Sequence, residues 1–320
     1  MGFISEQFVK MYKDAVLKRH DDTGTLFYFT IDDFPGLRRE KYSFNTKKGH
    51  TLTGYFYSYG DINIDRLVVF DHGMGNGHRA YMREIERLCK SGFLVYSYDH
   101  TGCTESEGEY IMGLSGSLAD LDSCINAMIL KGFKTDKISV VGHSWGAFST
   151  LNILGFYPNL KNIVALSGFI SVKDMLKQFI PSIFASFRPG IYKMEAELNP
   201  EHYDRNAIKT LSEASSPALI VHSIDDNTVS SKYHYDQMRK ALADKENITF
   251  LTLTGKIHNP NYTKDAVEYK EKFFKSYSRR IKKGIADMDA HKKFLASYDW
   301  HRMTAQDEEV WEAIIEFLNR

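Results

Sequence analysis

From residue 67 onward the chain alternates short apolar runs of strand length with segments of helical length and period. The runs cover 67–70, 93–98, 138–141, 163–166, 218–221 and 248–253, and helical spacing fills 81–90, 118–130, 147–156 and 233–243 between most of them. Parallel strands need a crossover of a dozen or more residues, usually a helix, so this alternation predicts an α/β fold: a mostly parallel sheet covered on both faces. Ahead of it, 41–59 is rich in Tyr, Phe and Thr and is broken at Lys48-Gly49, which reads as an antiparallel hairpin.

The 320 residues therefore fall into a single α/β domain, 1–320, with two segments outside the alternation. Residues 169–216 form an apolar excursion expected to be a cap. Residues 261–303 form a charged helical insertion whose Arg279–Lys283 cluster reads as a solvated helix face. A final helix is expected from about Thr304, and residues 3–17 have the spacing of an amphipathic helix packed on its own domain.

With 41 basic and 41 acidic residues the net charge is zero, which argues against a protein built to neutralise phosphate backbones and predicts no nucleic-acid partner. The three cysteines, Cys89, Cys103 and Cys124, fit neither a zinc pattern nor a disulfide framework, and they predict free thiols in a reducing, cytoplasmic setting. No apolar run reaches the ~18 residues of a transmembrane segment, and the charged residues among the first twenty break any signal-peptide core.

The chemistry concentrates at Gly142-His143-Ser144-Trp145-Gly146, between an apolar strand and a helix. A serine on a sharp strand-to-helix turn stands clear of the sheet edge, and glycines at both flanks remove Cβ atoms that would collide there. Serine needs a base, and on such a scaffold acid and base follow it in the order Asp/Glu, then His. Asp225-Asp226 come after the strand at 218–221, and His258 comes after the strand at 248–253. Of the later histidines, His234 falls inside the expected helix at 233–243, while His291 and His301 lie in the C-terminal insertion. This leaves His258 as the base, with either aspartate as the acid.

Over residues 41 to 320 the chain resembles the α/β-hydrolases. The resemblance assigns Ser144 as nucleophile, His258 as base and Asp226 as acid, because Asp226-Asn227-Thr228-Val229 matches the family's D-x-x-V pattern. It places the oxyanion donors at the backbone N–H groups of Trp145 and of Met74, within Asp71-His72-Gly73-Met74-Gly75, and gives His72 itself a structural role. Asp99-His100-Thr101-Gly102-Cys103-Thr104-Glu105-Ser106 is similar to the family's D-x-R-G-x-G-x-S turn but departs from it at Thr101 and Thr104.

A dinucleotide-binding reading of Gly73-x-Gly75-x-Gly77 with Asp99 lacks the required third glycine, where His78 stands, and leaves Ser144, Asp226 and His258 without a role. No metal or nucleotide motif is present, so no cofactor is expected. The expected function is hydrolysis of a carboxylic ester or related small acyl substrate of apolar character, bound beneath the cap. The alternatives are acyl transfer or thioester cleavage by the same triad, and a non-catalytic binding protein on the same fold.

Overall fold

The computed structural model describes residues 3–75 and 77–320. Met1, Gly2 and Asn76 lie outside the described residues, as do the side chains of residues 3–5. Eight strands form one sheet: β1 (Arg38–Asn45), β2 (Thr51–Ser58), β3 (Leu67–Asp71), β4 (Leu94–Tyr98), β5 (Ile138–His143), β6 (Asn162–Leu166), β7 (Ala218–Ser223) and β8 (Ile248–Leu253). Their order is β1-β2-β4-β3-β5-β6-β7-β8. Strand β2 pairs antiparallel with both β1 and β4, and every pairing from β4 to β8 is parallel.

Successive residues of a strand point to opposite faces, and the core divides accordingly. Leu67 and Val69, Ile163 and Ala165, and Ala218 and Ile220 enter one apolar cluster. Val68 and Phe70, Val164 and Leu166, and Leu219 and Val221 enter the other. With both faces covered, the central strands read as continuous apolar runs instead of alternating ones.

The helices are α1 (Phe3–Val16), α2 (Met82–Lys90), α3 (Gly116–Leu130), α4 (Trp145–Asn152), α5 (Val172–Phe179), α6 (Arg188–Leu198), α7 (Ala207–Glu213), α8 (Tyr235–Ala241), α9 (Lys264–Lys282), α10 (Met288–Ala296), α11 (Trp300–Met303) and α12 (Glu308–Asn319). Helices α3 and α4 supply the first cluster, and α2 and α12 the second. Among the described residues no helix is long and apolar enough to cross a membrane. The three cysteines are free and buried.

Two boundaries differ from expectation. The last helix starts at Glu308 because the Asp307 side chain caps it, accepting from the Val310 N–H at 3.2 Å, while the preceding residues pair with the segment around Tyr262. Helix α8 starts at Tyr235, so His234 precedes it instead of lying inside it. The imidazole is engaged in tertiary contacts, with Nε2 3.1 Å from Gln178 Oε1 and Nδ1 accepting from the Ile170 N–H at 3.4 Å.

Candidate active site

Strand β5 ends at His143, α4 begins at Trp145, and Ser144 alone makes the turn, with φ 57° and ψ −112°. A non-glycine residue in that region carries strain of order 1–3 kcal/mol, held by its surroundings. A Cβ on Gly142 would stand 2.4 Å from Gly146 O, and one on Gly146 would stand 2.1 Å from Asp71 O. The flanking glycines let the turn close and let it press against the end of β3. The Ser144 N–H donates to Leu166 O at 2.8 Å, which ties the turn to β6.

Asp226 and His258 reach this serine from the ends of β7 and β8. His258 Nε2 is 2.8 Å from Ser144 Oγ, and His258 Nδ1 is 2.7 Å from Asp226 Oδ2. The other oxygen of Asp226 accepts from the N–H groups of Thr228 and Val229 at 2.8 and 2.9 Å. Burial acts to raise the pKa of Asp226, but the hydrogen bond and charge of His258, with the Val229 N–H, outweigh it and hold the carboxyl below its ordinary value. Asp225 turns elsewhere: it accepts from Ser223 Oγ and, through both oxygens at 3.1 Å, from the Gly255 N–H. Ile257, directly before His258, has φ 48°, an outlier for a β-branched residue, so the loops bearing Ser144 and His258 are both strained.

A second network was not visible as a motif. The Gly73 N–H donates to Tyr81 Oη at 3.1 Å, and Tyr81 Oη is 2.8 Å from His143 Nδ1. His143 Nε2 is 2.7 Å from the carbonyl oxygen of His258, which can only accept, so Nε2 carries the proton and Nδ1 receives the Tyr81 hydroxyl proton. Burial, then the nearby His258, lowers the His143 pKa to about 3 and keeps the ring neutral. The network joins the loop after β3, the Ser144 turn and the His258 loop. Tyr81→Phe leaves a buried N–H and a ring nitrogen unpartnered, at about 1–3 kcal/mol. It is expected to lower kcat/KM roughly ten- to hundredfold and to leave the far-ultraviolet circular dichroism unchanged. A change below twofold would remove Tyr81 from the account.

A family model described as serine aminopeptidase, S33 matches residues 62–208, a stretch that includes Ser144 but neither Asp226 nor His258. An esterase from Pyrococcus furiosus has a similar structure, with a TM-score of 0.58 at 20% identity, covering 84% of this chain and 97% of that one. The chain has the α/β-hydrolase fold. An α/β-hydrolase named GrgF from Penicillium sp. sh18 has a TM-score of 0.54 at 15% identity, covering 81% of this chain and 99% of that one. An acylaminoacyl peptidase from Pyrococcus horikoshii has a TM-score of 0.52 at 13% identity, covering 70% of this chain and 38% of that one.

In this fold the loop bearing Met74 is pinned from behind. The His100 N–H donates to His72 Nε2 at 3.0 Å, so His72 carries its proton on Nδ1, which donates to Gly73 O at 2.6 Å. Burial and the neighbouring His100 lower the His72 pKa to about 3. In the trans Gly73–Met74 peptide the N–H of Met74 then points away from the His72 ring. The Trp145 side chain is turned into the core, its indole N–H donating to Leu114 O at 2.6 Å. His100 has its own partners, lying 3.0 Å from Asp71 Oδ1 and 3.3 Å from Asp120 Oδ2.

Asp99, the acidic residue of the dinucleotide reading, is fully buried and occupied. Its oxygens accept from the His78 N–H at 2.8 Å, the Glu105 N–H at 3.2 Å and the Thr104 hydroxyl. Thr104, where the family turn has glycine, takes φ 37°.

The aromatic excursion after β6 divides three ways. Phe169 stacks on Phe148 at 4.6 Å, Phe187 stacks on Phe8 of α1 at 4.8 Å, and Ile183 is 82% exposed. Gln178 of α5 ties the segment to the Asp226 loop, its amide donating to Thr228 O at 2.9 Å and its Oε1 accepting from the Ser230 N–H at 3.0 Å.

Proposed function

We propose that this chain is a serine hydrolase that cleaves a carboxylic ester or related acyl compound through an acyl-enzyme. The observation that carries the reading is the unbroken hydrogen-bond chain from Ser144 through His258 to Asp226. His258 Nε2 takes the Ser144 proton as Oγ attacks the carbonyl carbon, and Asp226 holds the ring with its proton on Nδ1. The N–H groups of Trp145 and Met74 receive the oxyanion, each donor in such a site contributing about 3–4 kcal/mol. The imidazolium then protonates the departing alkoxide. Water, deprotonated by the same nitrogen, attacks the acyl carbon, and Ser144 recovers its proton. Residues 169–216 serve as a cap over the acyl group.

A second reading, cleavage of an acyl-peptide amide, is favoured by the serine aminopeptidase model and the acylaminoacyl peptidase neighbour. Initial rates on 4-nitrophenyl esters from acetate to palmitate, CoA thioesters and acyl-aminoacyl anilides separate these readings. Esters are expected to give the highest kcat/KM. Preferential anilide turnover would favour the peptidase reading, and turnover of nothing in the panel would count against both.

A further inference from the structure

A cavity of about 240 Å³ lies against the His258 loop, walled by Ile257, His258, Asn259, Val267, Lys270 and Phe274. At ~30 Å³ per liquid water this is room for about eight non-hydrogen atoms. Its cation comes from α9, otherwise a charged amphipathic helix with exposed lysines and arginines. Lys270 is half-buried and makes one hydrogen bond, Nζ to Asn259 Oδ1 at 2.9 Å, while standing 4.8 Å from the centre of the Tyr262 ring.

An ammonium has three donors, so two N–H groups have no partner among the described residues. Among the described residues no carboxylate lies within 4 Å of it. Glu84 acts on it only at longer range, and one oxygen of Glu84 accepts from the Asn261 side-chain amide at 3.0 Å. Glu271 also lines the cavity but is exposed to solvent, where its charge is screened. Burial lowers the Lys270 pKa to about 8, as expected for a desolvated cation without a close counter-ion.

We propose that this cavity is an anion subsite of the catalytic centre, in which Lys270 binds a carboxylate carried by the acyl substrate while Ile257, Val267 and Phe274 enclose its short apolar linker. The proposal rests on the hydrolase reading for its position beside His258 and deepens it: the preferred substrates are half-esters of dicarboxylic acids over neutral esters of equal length. The paired carboxylate would complete the donor set of a half-buried ammonium, the kind of contact that changes affinity tenfold or more.

The test compares mono-4-nitrophenyl adipate with 4-nitrophenyl hexanoate, corrected for spontaneous hydrolysis, in the wild type, Lys270→Met and Lys270→Arg. The wild type is expected to favour the half-ester at least tenfold in kcat/KM. Lys270→Met is expected to lose that ratio, and Lys270→Arg to retain part of it. An equal ratio in wild type and Lys270→Met overturns the subsite. Calorimetric binding of monomethyl adipate against dimethyl adipate to Ser144→Ala protein, with and without Lys270→Met, reads the subsite without turnover. Tenfold tighter binding of the anion that depends on Lys270 supports the subsite even if no ester is hydrolysed, an outcome that would count against the hydrolase reading alone. Equal binding of the two adipates counts against the subsite whatever the turnover.

Discussion

Replacing Ser144 with alanine is expected to lower kcat on 4-nitrophenyl esters by a factor on the order of 10⁶, down to the level left by oxyanion binding alone. The substitution removes one oxygen and keeps the Cβ, so the strained turn and its N–H bond to Leu166 O at 2.8 Å remain. Thermal unfolding is therefore expected to stay within a few degrees of the wild type, which separates loss of chemistry from loss of fold. Retention of even a hundredth of the wild-type kcat by folded, pure protein would mean that another group carries the reaction.

Asp226→Asn is expected to cost about 10⁴ in kcat, because an amide facing His258 Nδ1 stabilises the wrong tautomer and leaves the imidazolium without its counter-charge. Asp225→Asn provides the contrast. Asp225 binds the Gly255 N–H across the β7–β8 end and makes no bond to His258, so its loss is expected in stability, with kcat within about tenfold of wild type. The sign with pH follows from the depressed pKa of Asp226. Its stabilising contribution is present above the unfolded value near ~3.9 and is lost as pH falls through the lower folded value. Urea unfolding of wild type and Asp226→Asn should accordingly converge as pH drops below about 4. Equal losses of kcat in the two variants would contradict the assignment of Asp226 as the triad acid.

The sequence exposed whatever is written in consecutive residues. Strands buried on both faces must be largely apolar, so β3 to β7 stood out as runs. A backbone turn as tight as that at Ser144 admits only glycine at 142 and 146, so the motif carries its own geometry. The turn Asp99–Ser106 was legible for the same reason, although Thr104 holds a positive φ where glycine was expected.

What escaped is tertiary. Tyr81 at the start of α2, His143 inside the serine motif and Gly73 after β3 form one hydrogen-bonded unit only because β3 and β5 are neighbours in the sheet. Lys270 looked like any other lysine of a charged helix until α9 was laid beside the His258 loop. Residue chemistry alone leaves the aspartates at 225 and 226 equivalent, the D-x-x-V resemblance points to Asp226, and the direction of each side chain separates them in space. The start of α12 moved because the cap of Asp307 and the pairing near Tyr262 decide it, and neither shows in hydrophobic period.

The most direct measurement is covalent labelling with a fluorophosphonate probe followed by peptide mapping. Attack of the activated serine displaces fluoride and leaves a stable phosphonyl ester, so the account predicts a single labelled site at Ser144. That labelling should be abolished in Ser144→Ala and strongly slowed in Asp226→Asn. A labelled residue other than Ser144, or ester turnover by a wild-type protein that the probe neither labels nor inhibits, would contradict it.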